Sequence, residues 1–576
     1  MKQRLGLIVA ALVVAAAAIG GGIAARRAEQ RVVAGTSADA DAIIEHDYKE
    51  VLSLIATEYA DEIDYEKANQ AAIQGMLSTL DPHSTFFTRT DYDKLKQDHD
   101  SEFFGIGVTI LRHRDGVYVQ SPVPNTPAAR AGLRYGDRIV EVDGKDTREW
   151  TSEQVSKAVR GERGEPVNLK VERAGANAPF YFTIVRDAVS QPSIRTAYMI
   201  RPATGYVALT GGFTSTTSGE LERAIKRLKD DGLRQLVLDL RNNPGGLLKE
   251  SINVASQFLP RGQTIVSVRG RERGEYGTPQ TFENTAYDPE DFPLVVLINR
   301  NSASASEIVA GAIQDYGRGY LVGETTFGKG LVQRVFSLDY GTGLTLTTQK
   351  YYTPYGRSIQ RDYSNGSLYD YYVRHDADDE PRPSTPLTPS SATTPGAPST
   401  PLEATPTPTP HPPTGPAVKT AAGRVFYGGG GITPDIEVKP LDVGTPARGR
   451  IFEAAFQFTR ELVAGQIPGL ENYRVDKTLY GQFPRPTDYP VGERVIEAFR
   501  AHVRRDAESN LTNAQIDADL DYVRLRIREE IVTAAYGNEA SIRALLDSDP
   551  QLLRALEVLP DAKRLAEMVR NGASQS

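Results

Sequence analysis

Three serines alternate with alanines in NSASASEIVAGAIQD, residues 301–315. The stretch follows the apolar run PLVVLIN and opens a helix-like pattern. A serine hydroxyl becomes a useful nucleophile only when a positioned base takes its proton, and histidine is the usual base. The seven histidines are His46, His83, His99, His113, His375, His411 and His502, so none falls between residues 114 and 374. A Ser-His-Asp triad is therefore disfavoured, and His83, in LDPHS, reads as a turn residue. The remaining base is a lysine. Free lysine titrates near pH ~10.4, and desolvation lowers that value. Lys329, in ETTFGKGLVQ, stands between Gly328 and Gly330 with Phe327, Leu331 and Val332 beside it. The glycines allow close backbone approach, and the apolar neighbours can dry the amine. The lysine is not followed by the Ser/Thr of a phosphate loop, so no nucleotide is expected.

Ser304-Ala305-Ser306-Glu307 has the S-x-x-E form of a capping box. Ser304 then stands at the mouth of a helix, directly after a strand. Capping and nucleophilic attack compete for the same oxygen, and the expectation is that Oγ faces Lys329. Ser302 and Ser306 read as packing or hydrogen-bonding residues.

The elements around these residues emerge from hydrophobic period. Residues 200–360 alternate strand-like runs (GYVALTG, RQLVLDL, PLVVLIN, YLVG) with helical ones (SGELERAIKRLKDDG, SINVASQFL, and the serine stretch), which argues for an α/β core. Residues 38–100 read as helical, from Ile43, Ile44, Tyr48, Val51, Leu52 and Ile55 at helix spacing and from a second helix ending at Asp81-Pro82. Residues 101–188 change to short β-branched runs with two short helices, TPAARAGL and TSEQVSKAVRG. Residues 189–440 hold the α/β core, interrupted at 376–420 by a Pro/Thr/Ser-rich insertion that cannot bury a core and reads as disordered. Residues 445–576 are helical and charged and read as an appendage for packing or oligomerisation.

Composition bounds the rest. The chain has 576 residues, a net charge of −8 and no cysteine. The charge gives no sign of a nucleic-acid partner. Thiol catalysis, disulfides and thiolate metal sites are excluded. Residues 1–30 carry Lys2 and Arg4, an uncharged run Leu5–Ala25 and then Arg26-Arg27. That pattern suits a secretory signal or an uncleaved anchor formed by residues 5–25. Either reading sets the body in the periplasm or another extracytoplasmic space.

Two resemblances rest on these motifs. Gly105-Ile106-Gly107-Val108, Ala131-Gly132-Leu133, Gly136-Asp137, Ile139 and Asp143-Gly144 make residues 101–188 resemble a PDZ domain. The resemblance implies that Gly105, Ile106, Gly107 and Val108 hold a free C-terminal carboxylate while a strand edge pairs with the peptide. NSASASEIVAGA followed by TFGKGLVQ resembles the carboxyl-terminal processing (tail-specific) protease family, Ser-Lys serine peptidases. Its serine precedes its lysine by 25 residues, which selects Ser304 against Lys329, and Gln333 matches a glutamine that orients the lysine. The implied fold is an α/β protease core of crotonase/Clp-like ββα repeats with an inserted PDZ domain and helical regions at both ends. Glu307 and Asp315 match acids of the family. Read from their positions, they are a box partner and a helix-end or ion-pair residue.

Peptide cleavage also needs donors for an oxyanion. Ala305 N–H sits at the helix start. A second donor is expected from Asn243-Pro244-Gly245-Gly246, where proline has no N–H, so Gly245 or Gly246 must serve. The pattern DLRNNPGG at Asp239–Gly246 matches the family. No cofactor or metal is implied. The expected partners are proteins or peptides with apolar C-terminal tails; an adaptor protein is a further candidate, and relatives suggest a homo-oligomer (a dimer or larger). The competing reading is a noncatalytic PDZ scaffold that retains a protease-like core.

Overall fold

The computed structural model describes residues 37–99, 102–271, 278–285, 289–363, 415–420, 423–441, 444–485 and 487–573. The expected signal or anchor at 1–30, and the insertion up to residue 414, lie outside them. Among the described residues no helix is long and apolar enough to cross a membrane.

The chain divides into two compact units, Met1–Met76 and Leu77–Ser576. Helix α1 (Ser37–Glu58) belongs to the first, and α2 (Tyr65–Ser78) runs to its end. The expectation of helix throughout 38–100 fails at one place. Thr85–Phe87 forms strand β1, because its aromatic pair suits a pleated surface and Gly343–Thr345 offers an edge to pair with. Helix α3 (Arg89–His99) and β2 (Glu102–Gly105) come next.

The next module is a β-sheet with two helices. Its strands are β3 (Val108–His113), β4 (Gly116–Pro122), β5 (Arg138–Val142), β6 (Lys145–Asp146), β7 (Pro166–Glu172) and β8 (Phe180–Val185). Their order is β3-β4-β5-β7-β8, with β6 on β5, so β3 is an edge strand. Helix α4 (Pro127–Ala131) starts with proline and ends at Gly132, whose φ of 88° suits a residue without a side chain. Helix α5 (Ser152–Val159) is opened by a capping box between Thr151 and Gln154 and buries Val155 and Val159. Strand β9 (Asp187–Ser190) then pairs antiparallel with β2, so the chain enters and leaves the module side by side.

The core comprises β10 (Ile194–Arg201), β11 (Thr204–Leu209), α6 (Thr217–Asp230), β12 (Gln235–Asp239), α7 (Leu248–Ser256), β13 (Thr264–Gly270), β14 (Gln280–Glu283), β15 (Leu294–Ile298), α8 (Ala305–Asp315), β16 (Tyr320–Gly323), β17 (Leu331–Ser337), β18 (Gly343–Tyr352), β19 (Ala417–Lys419), β20 (Val425–Tyr427) and β21 (Ile436–Glu437). The main sheet runs β10-β11-β12-β15-β16-β21 and is parallel from β11 onward. A second sheet runs β1-β18-β13-β14, with β17 also on β18. Ala417–Lys419 pairs with Val425–Tyr427, so the last residues of the expected 376–420 insertion are strand.

The C-terminal region contributes α9 (Pro446–Val463), α10 (Glu493–Arg505), α11 (Asn513–Ala518), α12 (Leu520–Tyr536), α13 (Asn538–Leu546) and α14 (Pro550–Ala573). It is more than an appendage. Leu236, Leu238, Leu294, Val296 and Ile298 share one buried cluster with α6, α7 and α8. The alternate residues Val237, Val295 and Leu297 share another with Leu552, Ala555, Val558, Leu559 and Ala562 of α14. A parallel sheet is apolar on both faces and needs two covers; α14 is the second.

Candidate active site

Strands β12 and β15 lie side by side, and the chain turns off both at their carboxyl ends, where open parallel sheets form crevices. The two loops are laced together. Ser302 Oγ donates to Leu240 O (2.9 Å) and receives Asn299 N–H (3.0 Å). Ala303 N–H and Ser306 Oγ–H both reach Asn243 O, each at 3.0 Å. Ser302 and Ser306 are thus hydrogen-bonding residues, as their positions predicted.

Ser304 is half-buried at the head of α8, with φ 57° and ψ −113°. A left-handed φ is unfavourable for serine and persists only where the surroundings over-determine it. Here Ser304 N–H is taken by Glu307 Oε2 (2.8 Å), while Glu307 N–H bonds the main-chain oxygen of Ser304 (2.9 Å).

Glu307 is completely buried and accepts more than that one bond. Its Oε2 also takes Lys329 N–H (2.8 Å), and Oε1 takes Gly328 N–H (2.7 Å) and Thr326 Oγ–H (2.5 Å). Burial raises its pKa, and the four donors oppose that rise. One carboxylate oxygen therefore receives the main-chain N–H of Ser304 and of Lys329, and the two residues can be no further apart at those atoms than two hydrogen bonds laid end to end. The glycines around Lys329 are packed. A Cβ on Gly328 (φ 85°) would lie 2.9 Å from Arg361 Cβ, and one on Gly330 would lie 2.8 Å from Gln360 N. Tyr351 donates its hydroxyl to Lys329 O. Burial lowers the pKa of the Lys329 amine, against the opposing pull of Glu307 and then Asp81.

Asp81 reaches this pocket from the far N-terminal side of the core. It is buried, and its Oδ1 accepts the N–H of His83 (2.8 Å) and Ser84 (2.9 Å). Ser84 Oγ donates to Asp81 Oδ2 (2.7 Å) and receives Thr347 N–H of β18 (3.1 Å). His83 is the turn residue expected, but it also feels Lys329. Its pKa is pushed down to about 3, by burial first and then by the lysine's charge. Such an imidazole stays neutral and is a weak base. The sequence showed a turn here but not what it meets, because its partners come from β18 and from Lys329.

Gln333 does not meet the expectation of a hydrogen bond to Lys329. Its Nε2 donates to Thr347 Oγ (3.1 Å), its cross-strand partner. The cause is a register shift between Val332 and Gln333, which turns the amide across β18. Asp315 is an ion-pair residue, buried with Arg357 at 2.6 Å. Burial lowers the Arg357 pKa, opposed by Asp315.

The glycine loop abuts the serine. A Cβ on Gly245 (φ 96°) would fall 2.6 Å from Ser304 Cβ, 2.7 Å from Ala303 O and 3.0 Å from Ala305 N. Gly245 N–H is spent on Asn243 Oδ1 (2.9 Å), and its carbonyl accepts Phe213 N–H (2.8 Å). Among the described residues, neither Ala305 N–H nor Gly246 N–H has an acceptor.

The Gly105–Val108 segment lies in the other module. Ile106 is buried, and its carbonyl takes Ala128 N–H (2.8 Å). Gly107 (φ 74°) turns its carbonyl to Val123 N–H (3.0 Å) and Thr126 Oγ (2.9 Å). Both carbonyls point inward, and among the described residues nothing accepts the N–H of Ile106 or Gly107. Val108 opens the edge strand β3, with Ile110 on it and Val155 and Val159 of α5 in the same apolar cluster. No cluster of metal-ligating side chains occurs among the described residues.

Comparison with known proteins agrees with both modules. The model of peptidase family S41 matches residues 203–373, and a PDZ domain model matches residues 118–173. A carboxy-terminal-processing protease of Bartonella bacilliformis is 40% identical over 321 residues, which cover 54% of this chain and 72% of that protein. A probable CtpA-like serine protease of Staphylococcus aureus is 35% identical over 310 residues, covering 54% of this chain and 61% of its own length. Among solved structures, a photosystem II D1 C-terminal processing protease is 32% identical, covering 54% of this chain and 83% of that one, with a TM-score of 0.32. The serine, lysine and glycine motifs lie within the matched core, and the chain belongs to peptidase family S41, as a PDZ-containing serine peptidase of the carboxy-terminal-processing type.

Proposed function

We propose that this chain cleaves peptide bonds by a Ser-Lys mechanism, on substrates selected by their C-terminal tails. The observation that carries the proposal is the Glu307 carboxylate oxygen shared by the main-chain N–H groups of Ser304 and Lys329, beside an amine whose proton burial disfavours. The neutral Lys329 amine takes the Oγ proton as Ser304 bonds the scissile carbonyl carbon. Electrons move to the carbonyl oxygen, and Ala305 and Gly246 N–H stabilise it; Gly245, whose N–H is already used, gives the serine room instead. The protonated lysine then gives its proton to the leaving amine, and water cleaves the acyl-serine. Gln333 supports the lysine through β18 and not by direct contact.

The substrate tail docks on the β3 edge, its carboxylate against the N–H groups of Ile106 and Gly107 and its side chains against Val108, Ile110, Val155 and Val159. Such a surface favours an apolar tail. The orders β10-β11-α6 and β14-β15-α8, two strands before each helix, support reading the core as crotonase/Clp-like ββα repeats. The basic start and the apolar run at residues 5–25 support an extracytoplasmic, membrane-associated location, which fractionation of the full chain against one lacking residues 1–30 tests. A homo-oligomer, and an adaptor that delivers substrate, complete the proposal; sedimentation velocity and degradation with purified components alone test them.

The decisive experiment monitors an unfolded reporter with an apolar C-terminus, with wild type and Ser304→Ala. Wild type degrades it and spares the same reporter with a charged tail; Ser304→Ala degrades neither. Degradation by Ser304→Ala would remove the serine from the mechanism, and equal rates on both tails would remove tail selection.

A further inference from the structure

The loop that carries Gly246 is held from behind by residues the mechanism does not use. Arg241 lies two residues beyond the end of β12. Its Nε and Nη2 grip Asp239, at 3.0 Å to Oδ1 and 2.7 Å to Oδ2. Its Nη1 crosses to the C-terminal region and reaches Asp549 Oδ2 at 2.6 Å and Gln551 Oε1 at 2.9 Å. Asp549 stands just before α14, and its other oxygen caps that helix by taking the N–H of Gln551 (2.9 Å) and Leu552 (3.2 Å). Gln551 is buried and donates to Val438 O (2.8 Å), just past β21. Asp239 is fixed in turn by the Tyr206 hydroxyl (2.7 Å).

The backbone just beyond Arg241 gives this anchor its importance. Asn242, Gly245 and Gly246 all have left-handed φ, at 58°, 96° and 146°. Gly245 and Gly246 carry no side chain to hold that path, so the loop is positioned by its anchors, Asn242 and Asn243 toward the Ser304 turn and Arg241 from behind. A planar guanidinium shared between two carboxylates fixes direction as well as distance, which an ammonium does not.

We propose that Asp549 and Arg241 form a strut through which α14 sets the Arg241–Gly246 loop against the Ser304 turn, making Arg241 a positioning residue for the oxyanion donor at Gly246. The inference rests on the reading of Ser304 as nucleophile and Gly246 as donor. It also gives the C-terminal helices a part in catalysis, where the sequence suggested packing or oligomerisation.

The test uses the full chain. Turnover of a tail-bearing peptide is measured for Asp549→Asn, Asp549→Glu and Arg241→Lys. Alongside, two affinities are measured: for a peptide boronic acid, whose boron bonds Ser304 Oγ and mimics the oxyanion, and for the same sequence as an amide, in a Ser304→Ala background. Asp549→Asn and Arg241→Lys are expected to lower kcat about tenfold, less than deletion of a donor outright, with KM and amide affinity within about twofold. Boronate affinity falls in step with kcat, and Asp549→Glu recovers most of both. Unchanged kcat in either folded variant, a loss carried by KM, or boronate affinity that stays at the wild-type value would overturn the strut. If one variant does not fold, the other decides by the same criteria. Residual turnover in Ser304→Ala would instead refute the underlying mechanism, whatever the strut variants do.

Discussion

In the proposed mechanism Lys329 carries the most demanding chemistry, because an amine that titrates near pH ~10.4 when free must lose its proton to act. Burial lowers its pKa, and the Asp81 carboxylate works against that. On this mechanism activity is expected to rise with pH as the Lys329 ammonium gives up its proton, so anything that lowers its pKa is expected to move the acid limb of kcat/KM to lower pH. Asp81→Asn keeps the oxygen that caps the His83 turn and removes the charge, so its acid limb is expected below that of wild type. A limb that stays in place or moves up would contradict the electrostatic link. The candidate residues were legible in sequence, because the glycines flanking Lys329 are local signals and the serine-to-lysine spacing matches that of the family. What was not legible is the company the lysine keeps. Asp81 and His83 arrive from nearly 250 positions away, and the Gln333 amide is turned to Thr347 by a register shift that composition does not encode.

At the scale of elements, the Ser304 helix is held at both ends by buried polar groups. Glu307 fastens its first turn to the Lys329 loop. Asp315 fastens its last turn to Arg357 and also accepts Tyr355 N–H (3.0 Å). Removing one member of a buried ion pair leaves the other charge uncompensated. Asp315→Asn is therefore expected to cost about 3–5 kcal/mol, read as a lower urea midpoint at unchanged m-value; a midpoint equal to wild type would show that Arg357 finds other partners. Helix and strand periods identified most elements, including α8 and both short helices of the PDZ module; the capping box of Thr151 and Gln154 emerged only with the structure. The misses are two three-residue strands: Thr85–Phe87 exists because a distant edge accepts it, and Ala417–Lys419 pairs locally with Val425–Tyr427 beside a Pro/Thr-rich run that masked it.

At the scale of the second unit, the C-terminal helices join the two functional modules. Helix α14 covers the sheet beneath Ser304, and α9 and α12 grip the PDZ module. Glu530 of α12 is buried and takes Tyr135 O–H (2.8 Å), Gln120 Nε2 (3.1 Å) and Arg526 Nη2 (2.7 Å), while the His113 ring stacks on Phe456 with centroids 3.5 Å apart. A charged, amphipathic sequence marked these helices as packing elements but not their partners, since the period shows which face is apolar and not what covers it. Glu530→Ala is expected to speed amide hydrogen exchange in β4 and α12 and to leave β12 and β15 protected; uniform exchange through the whole unit, or none gained, would contradict the seat at Glu530. The central claim is that an uncharged amine at position 329 takes the Ser304 proton. Its most direct test is the full-length Lys329→Arg variant against a tail-bearing peptide from neutral to alkaline pH. A guanidinium keeps length and charge but cannot be deprotonated in a protein, so the account predicts no turnover at any pH in a folded variant. Measurable turnover with a wild-type pH profile would contradict it.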